Sequence, residues 1–129
     1  MEKRSELKFY YCKHCGKIIA LVNDPGTPTI CCGEVMQEMK PGTQDASVEK
    51  HVPVVKKDGC HALVSVGEVP HPMTTEHYIE WILLHTSEGL RKIDLTPQDR
   101  PEADFMLKQD EVVISSYEYC SIHKLWKGH

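Results

Sequence analysis

Long apolar runs are missing from this chain of 129 residues. No stretch approaches the roughly 20 consecutive apolar residues that a helix needs to cross a bilayer, so the chain is not predicted to be an integral membrane protein. Residues 1–11 are charged and lack the apolar run typical of a secretory signal, and on this pattern we expect a cytoplasmic location. Internal repeats, low-complexity tracts and long segments of helical periodicity are absent as well.

A strong excess of either charge is also missing. The chain has 15 Lys and Arg against 19 Asp and Glu, which gives a formal net charge of −4. The basic residues are scattered rather than grouped, which argues against a nucleic-acid binder whose affinity depends on neutralising phosphates. The hydrophobic fraction of 40% is enough for one modest core, and two ordinary domains would need a longer chain.

Cysteine and histidine, in contrast, are plentiful, with 6 and 8 residues. Disulfides are rare in a reducing compartment, so these cysteines favour metal ligation or redox chemistry. Four of them lie close together, and two stand alone at Cys60 and Cys120. The grouped cysteines define a small N-terminal module, over residues 1–38, that is too short to be stable without a metal or a partner chain.

Short apolar segments separated by turn residues predict β-strands throughout. In the module, strands are expected at 18–22 and 29–30, with a turn between them. After a linker at 39–46, the domain over residues 39–129 should contain strands at 48–56, 61–66, 76–85, 90–95, 103–108 and 111–119. This spacing predicts an all-β fold with an immunoglobulin-like antiparallel β-sandwich.

The grouped cysteines have ligand spacing. Cys12 and Cys15 form a Cys-x-x-Cys pair, which brings two thiolates onto one metal from a tight turn. Cys31 and Cys32 are adjacent and would point to opposite faces of a regular strand, so they can share a metal only if the backbone bends, which Gly33 allows. Four thiolates suit either a structural zinc or a rubredoxin-like iron, and ligand type alone does not decide between them.

A second candidate site lies in the β domain. His71 and His77 bracket a loop, Cys120 and His123 have the chelating spacing Cys-x-x-His, and His51 stands where a charged stretch meets a strand. Taken singly, each histidine is more often packed in the fold or exposed to solvent than bound to a metal. Spacing alone therefore indicates a metal site without establishing it.

Six segments, taken in order along nearly the whole chain, resemble desulfoferrodoxin, the two-iron superoxide reductase family. They are Tyr11–Gly16, Cys31–Met36, Glu49–Pro53, Val69–Met73, His77–Trp81 and Glu118–His123. The resemblance implies a desulforedoxin-like module whose four cysteines bind one mononuclear non-haem iron: Cys12, Cys15, Cys31 and Cys32. It implies a second such iron with Cys120 as axial thiolate and four equatorial histidines: His51, His71, His77 and His123.

The resemblance also implies the reaction. Superoxide would be reduced by one electron to hydrogen peroxide at the ferrous centre, without release of dioxygen. Five ligands leave an octahedral ion one open position, and an axial thiolate pushes electron density onto the metal. In the family pattern Lys50 steers and stabilises the anion, and Glu49 ligates the oxidised iron after the product leaves. Charges that line a site can attract an anion even when the whole chain is acidic.

The family further implies a rubredoxin-like electron donor and a homodimer, with a role in detoxification under oxidative stress. The alternative is a structural zinc or rubredoxin-like electron-transfer protein without catalysis, in which the C-terminal histidines would not converge. Cys60 and three histidines match no family segment and are expected to be ordinary surface or packing residues: His61, His85 and His129. Lys124 and Trp126, which follow the last segment, are expected to cover the site.

Overall fold

The computed structural model describes residues 7–42, 51–67 and 71–128. Within these ranges every regular element is a β-strand and the strands of each sheet are antiparallel, so the predicted all-β fold is confirmed. None of the described residues belongs to a helix long and apolar enough to span a membrane. The chain divides into two compact units, Met1–Lys40 and Pro41–His129.

In the first unit, residues 7–40 form five strands of two or three residues: β1 (Phe9–Tyr11), β2 (Ile18–Ala20), β3 (Ile30–Cys31), β4 (Glu34–Val35) and β5 (Gln37–Met39). Three of them form a sheet in the order β2-β1-β5, and β3 pairs with β4 in a hairpin. The predicted strands at 18–22 and 29–30 correspond to β2 and β3. Strands this short, with mixed polar residues, have too little alternation to be read from sequence, which is why β1, β4 and β5 were not predicted.

The second unit is a β-sandwich, and its described residues form seven strands: β6 (Pro53–Asp58), β7 (His61–Val66), β8 (Ile79–Thr86), β9 (Gly89–Asp94), β10 (Glu102–Met106), β11 (Val113–Cys120) and β12 (Lys124–Gly128). One sheet has three strands in the order β10-β7-β6, and the other has four in the order β12-β11-β8-β9. This three-plus-four arrangement agrees with the predicted immunoglobulin-like sandwich.

Two differences from the predicted strands have local causes. The strand expected from 76 begins three residues later, because Thr74 and His77 exchange backbone hydrogen bonds of 2.9 and 3.1 Å in a turn. Strand β12 was not predicted, since its sequence Lys-Leu-Trp-Lys-Gly lacks the strict polar–apolar alternation of a half-buried strand, and it lies at a sheet edge. Part of the strand expected at 48–56 lies outside the described residues, and β6 begins at Pro53.

The core lies between the two sheets. Alternate residues of β7 and β10 face inward, as the period of two in a β-strand requires. Each fully buried large apolar side chain contributes roughly 1.5–3 kcal/mol relative to exposure. The cluster includes Ala62, Val64 and Val66 of β7, Ile79, Ile82 and Leu84 of β8, Ala103 and Phe105 of β10, and Cys120 at the end of β11.

A buried ion pair fastens the β8–β9 hairpin to the start of β11. The side chain of Glu111 is fully buried, and it accepts hydrogen bonds from Arg91 Nη2 at 2.8 Å and from the Lys108 backbone N–H at 2.8 Å. Thr86 Oγ1 donates to the same carboxylate. The Arg91 guanidinium is the main cause that lowers the pKa of Glu111 to about 2, against the opposing effect of burial.

This pair predicts an acid-sensitive contribution to stability. Because the pKa of Glu111 is lower in the folded chain than its ordinary value of 4.5, the carboxylate stabilises the fold above pH 4.5 and this contribution is lost as the pH falls toward 2. We expect the urea midpoint difference between wild type and Glu111→Gln to be largest at neutral pH and to shrink below pH 4.5. Substituting the exposed Glu88 by Gln is the matched control and should shift the midpoint little. A Glu111→Gln difference independent of pH contradicts the account.

Candidate metal centres

The first cysteine pair lies in a tight loop directly after β1. The backbone N–H of Gly16 donates to the Cys12 carbonyl at 2.9 Å, and the N–H of Cys12 donates to the Lys17 carbonyl at 2.9 Å. Gly16 has φ of +81°, a left-handed conformation that glycine adopts without strain. The loop therefore folds back on itself and turns both thiols toward one point.

The adjacent cysteines lie on the β3–β4 hairpin. Cys31 pairs with Glu34 in register, so the hairpin loop consists of Cys32 and Gly33 alone. Both loop residues have positive φ, +54° and +75°, as a type I′ turn requires. The bend predicted at Gly33 is confirmed, and it lets neighbouring residues direct their thiols to the same side.

The four thiols lie at the separations of a tetrahedral site. The Sγ atoms of Cys15 and Cys31 are 3.7 Å apart, and those of Cys31 and Cys32 are 4.0 Å apart. All four sulfur atoms lie within 4.8 Å of one another. A tetrahedral ion with metal–sulfur bonds of about 2.3 Å separates its sulfur ligands by about 3.8 Å. The cluster therefore fits a single ion held by four thiolates.

Charged neighbours connect the two cysteine loops. Lys13 Nζ and His14 Nε2 lie 3.1 and 3.4 Å from the two carboxylate oxygens of Glu34, whose pKa is lowered chiefly by Lys13.

A hydrogen bond from the Cys15 backbone N–H is the main cause that lowers the pKa of Cys12 to about 6. The pKa of Cys32 is raised to about 12 by hydrogen bonding with the other thiols, among which Cys12 has the largest effect. Without a metal the four sulfurs therefore resist full deprotonation, and a cation resolves this conflict.

The second cluster gathers five side chains from separate parts of the sandwich. His51 lies just before β6, two histidines flank the turn before β8, Cys120 ends β11, and His123 lies in the β11–β12 turn. Their nitrogen and sulfur ligand atoms all lie within 4.8 Å of one another. The five residues are His51, His71, His77, Cys120 and His123, the set that the family resemblance implied.

The four imidazoles form a closed circuit. Their ring centroids are 4.9 Å apart for His51 and His71, 4.8 Å for His71 and His77, 5.2 Å for His77 and His123, and 4.6 Å for His123 and His51. Each neighbouring pair meets edge-to-face, at interplanar angles between 68° and 86°. Four nitrogen donors arranged around one centre are what an equatorial set of metal ligands requires.

The thiol of Cys120 lies beside this circuit. Its Sγ atom is 3.5 Å from His71 Nε2 and 3.9 Å from His123 Nδ1, and His51 Nε2 is 3.0 Å from His123 Nδ1. Such crowding of lone-pair donors is favourable when they share a cation. The donor set of four imidazoles and one thiolate fits an iron ion with one position left for a substrate.

Hydrogen bonds outside the cluster orient its members. His71 Nδ1 donates to the Pro72 carbonyl at 2.7 Å, which fixes the tautomer and leaves Nε2 directed toward Cys120. Ser121 and Tyr78 connect the β11–β12 turn to the turn before β8. The Ser121 N–H donates to the Tyr78 carbonyl at 3.0 Å, and the Tyr78 N–H donates to Ser121 Oγ at 3.1 Å. No sequence signal indicated this role of the Ser121 hydroxyl.

The ligand side chains of the second cluster range from fully buried to exposed. Cys120 is fully buried and belongs to the hydrophobic core, and His51 and His71 are buried as well. His77 is half-buried and His123 is exposed. The site is therefore anchored in the core on its thiol side and reachable from solvent beside His123.

The remaining candidate residues fall into two groups. Glu49, Lys50 and His129 lie outside the described residues, so the positions expected for them remain predictions. Cys60 is exposed in the β6–β7 turn, and the neighbouring His61 pairs with Asp104 at 3.2 Å. Neither belongs to the two metal-ligand clusters found in the described part of the chain.

Known proteins are similar to this chain in sequence and in structure. The chain is 45% identical to the desulfoferrodoxin of Nitratidesulfovibrio vulgaris over 124 residues, covering 96% of this chain and 97% of the relative. It is 38% identical to the superoxide reductase of Thermococcus kodakarensis, covering 71% of this chain and 93% of the relative. The crystal structure of the superoxide reductase from Treponema pallidum matches with a TM-score of 0.83 at 38% identity, covering 96% of this chain and 98% of the other.

A family model described as desulfoferrodoxin matches residues 43–129. The four-cysteine group and the group of four histidines with one cysteine correspond to the two mononuclear non-haem iron sites that characterise this family. Sequence, fold and both clusters lead to one conclusion: the chain belongs to the desulfoferrodoxin family.

Proposed function

We propose that this protein is a superoxide reductase. The observation that carries the proposal is the convergence of four imidazoles and one buried thiol within 4.8 Å. Ferrous iron bound there supplies one electron to superoxide, which with two protons becomes hydrogen peroxide, and no dioxygen is formed. The two relatives named superoxide reductase, from Thermococcus kodakarensis and Treponema pallidum, support the assignment.

The ligand roles follow from the cluster. We assign the equatorial positions to the four imidazoles, because they already form a closed circuit, and the axial position to Cys120. The four thiols of the first unit are assigned to the other iron. On this basis residues 1–38 form a desulforedoxin-like module and residues 39–129 form the catalytic domain.

Substrate access is explained by the gradient in burial. The exposed side of the cluster is at His123, while the Cys120 thiol is fully buried. A ferrous ion with four neutral imidazoles and one thiolate has a net charge of +1, which attracts a small anion. Because the thiolate is shielded from water, its negative charge acts on the metal rather than on solvent.

Glu49 and Lys50 are proposed to act on the open position. They directly precede His51 in sequence, so the chain holds them near one ligand of the cluster. The Lys50 ammonium would attract superoxide and stabilise the developing peroxide charge, and the Glu49 carboxylate would ligate the oxidised iron after release of the product.

The proposal extends to partners and location. A rubredoxin-like donor would return the electron, and the protein would act in the cytoplasm in detoxification under oxidative stress. A homodimer is proposed because large apolar side chains of the small first unit are exposed: Val22 at 100%, Ile30 at 66% and Val35 at 53%. Burying such residues against a second copy would supply a core that this unit is too small to make alone.

The alternative function is a structural zinc or rubredoxin-like electron-transfer protein without catalysis. The four-thiol cluster alone suits this alternative, since a closed tetrahedral site has no position for a substrate. The second cluster disfavours it, because a non-catalytic role does not require five ligands with an exposed side. Two ferric-thiolate centres would colour the protein, whereas one structural zinc would leave it colourless.

Replacing the axial thiolate tests the function directly. We expect Cys120→Ser to abolish superoxide reduction and the visible band of the second iron, because a hydroxyl does not replace the thiolate as an electron donor to the metal. Cys60→Ser is the matched control, since this thiol is exposed and belongs to neither cluster. Superoxide consumption and the visible spectrum are measured on both variants. Full activity in Cys120→Ser, or a colourless wild type holding zinc after growth in ample iron, contradicts the proposal.

Electrostatic steering by Lys50 is tested by ionic strength. We expect Lys50→Ala to lower the second-order rate constant with superoxide by about tenfold at low salt and to flatten its dependence on ionic strength. Lys50→Arg should retain most of both, because it keeps the charge. Lys56→Ala removes an exposed lysine on β6 and serves as the matched control. Equal rates and equal salt dependence for Lys50→Ala and wild type would show that this ammonium does not act on the substrate.

A further inference from the structure

Trp126 packs face-to-face on one histidine of the second cluster. Its ring centroid lies 4.7 Å from that of His51, at an interplanar angle of 17°, whereas the histidines meet one another edge-to-face. The indole Nε1 also donates a hydrogen bond to the His123 carbonyl at 3.0 Å. One side chain therefore restrains the ring of one ligand and the backbone of another.

The backbone at Gly42 also lies against the indole. The Gly42 N–H donates to the Leu125 carbonyl at 3.0 Å, and the Lys127 N–H donates to the Gly42 carbonyl at 2.8 Å, so this residue is fixed alongside β12. A Cβ atom at Gly42 would lie 2.6 Å from two carbons of the Trp126 ring. Only glycine leaves room for the indole to lie against this backbone while it stacks on His51.

We propose that Trp126 is a positioning residue for the second iron site and that Gly42 is the platform that holds it. The inference rests on the proposed function, because it assigns a role toward the iron that His51 and His123 would bind. Trp126 fixes the plane of the His51 imidazole and the backbone of His123, and its ring excludes water from that side of the cluster.

Two measurable properties should depend on this stack. Groups that orient metal ligands typically change metal affinity by about 10–100-fold when they are removed, so losing the indole should speed release of the iron. Water exclusion also affects the reduction potential. The ferric site carries one more positive charge than the ferrous site, and a dry environment disfavours the more highly charged form. Removing the indole should therefore lower the potential.

The experiment uses the full chain loaded with both irons, in four versions. Trp126→Phe keeps an aromatic ring on His51, Trp126→Leu removes it, and Gly42→Ala displaces the intact indole. Release of the second iron to a chelator is followed through its visible band, and its reduction potential is measured by titration of the same band. We expect release about tenfold faster and a lower potential in Trp126→Leu and Gly42→Ala, with Trp126→Phe within about twofold of wild type.

A double variant and a second tryptophan make the result specific. Once the indole is absent, Gly42→Ala has nothing to displace, so the double variant with Trp126→Leu should equal Trp126→Leu alone in both measurements. Trp81→Leu removes an indole that stacks on Tyr119 at 5.5 Å and should leave release and potential unchanged. Because the substituted residues lie in the second unit, circular dichroism and the urea midpoint of each variant report that this unit is folded.

The outcomes separate this inference from the proposed function. If wild type reduces superoxide but Trp126→Leu and Gly42→Ala release iron at the wild-type rate with an unchanged potential, the positioning role is wrong and the function stands. Equal effects of Trp126→Phe and Trp126→Leu also overturn it, because the ring would then not be the acting group. A wild type that holds iron but does not reduce superoxide overturns the proposed function, while the release rates still test the positioning role.

Discussion

The buried thiol of Cys120 is the group on which the rest of the second unit depends. It is fully buried, it belongs to the hydrophobic core between the two sheets, and its sulfur atom lies 3.5 Å from His71 Nε2. Packing of the core therefore also places the one sulfur donor of the second cluster. Because β11 ends at this residue and β12 begins four residues later, the strand pairing that closes the sandwich also brings His123 to the site.

The first unit is stabilised in a different way, since its described residues form almost no hydrophobic core. Its strands contain two or three residues, and few of its side chains, such as Phe9 and Met36, are buried. The energy that a core would supply must come from metal–thiolate bonds, as in other small metal-dependent modules. The two cysteine loops are held in place for that metal by the type I′ turn at Cys32 and Gly33 and by the ion pairs of Glu34.

Sequence reasoning predicted the ligands better than their supports. Spacing indicated Cys12 with Cys15 and Cys120 with His123, because short chelating patterns are local, whereas His51 was assigned only through the order of the family segments. The position of Trp126 after the last segment predicted only that this residue covers the site. Its stack on His51 and the platform at Gly42 depend on backbone pairing between distant residues, which no local pattern reveals. Short strands were missed for a related reason: tertiary pairing, not periodicity, makes β4 and β12 strands.

The central claim is that the five converging side chains make a centre that reduces superoxide rather than dismutating it. Product stoichiometry tests this most directly, with a chemical reductant, a known flux of superoxide and simultaneous detection of hydrogen peroxide and dioxygen. The account predicts one hydrogen peroxide for each superoxide consumed and no dioxygen from the enzymatic reaction. One hydrogen peroxide and one dioxygen for every two superoxide ions would contradict it.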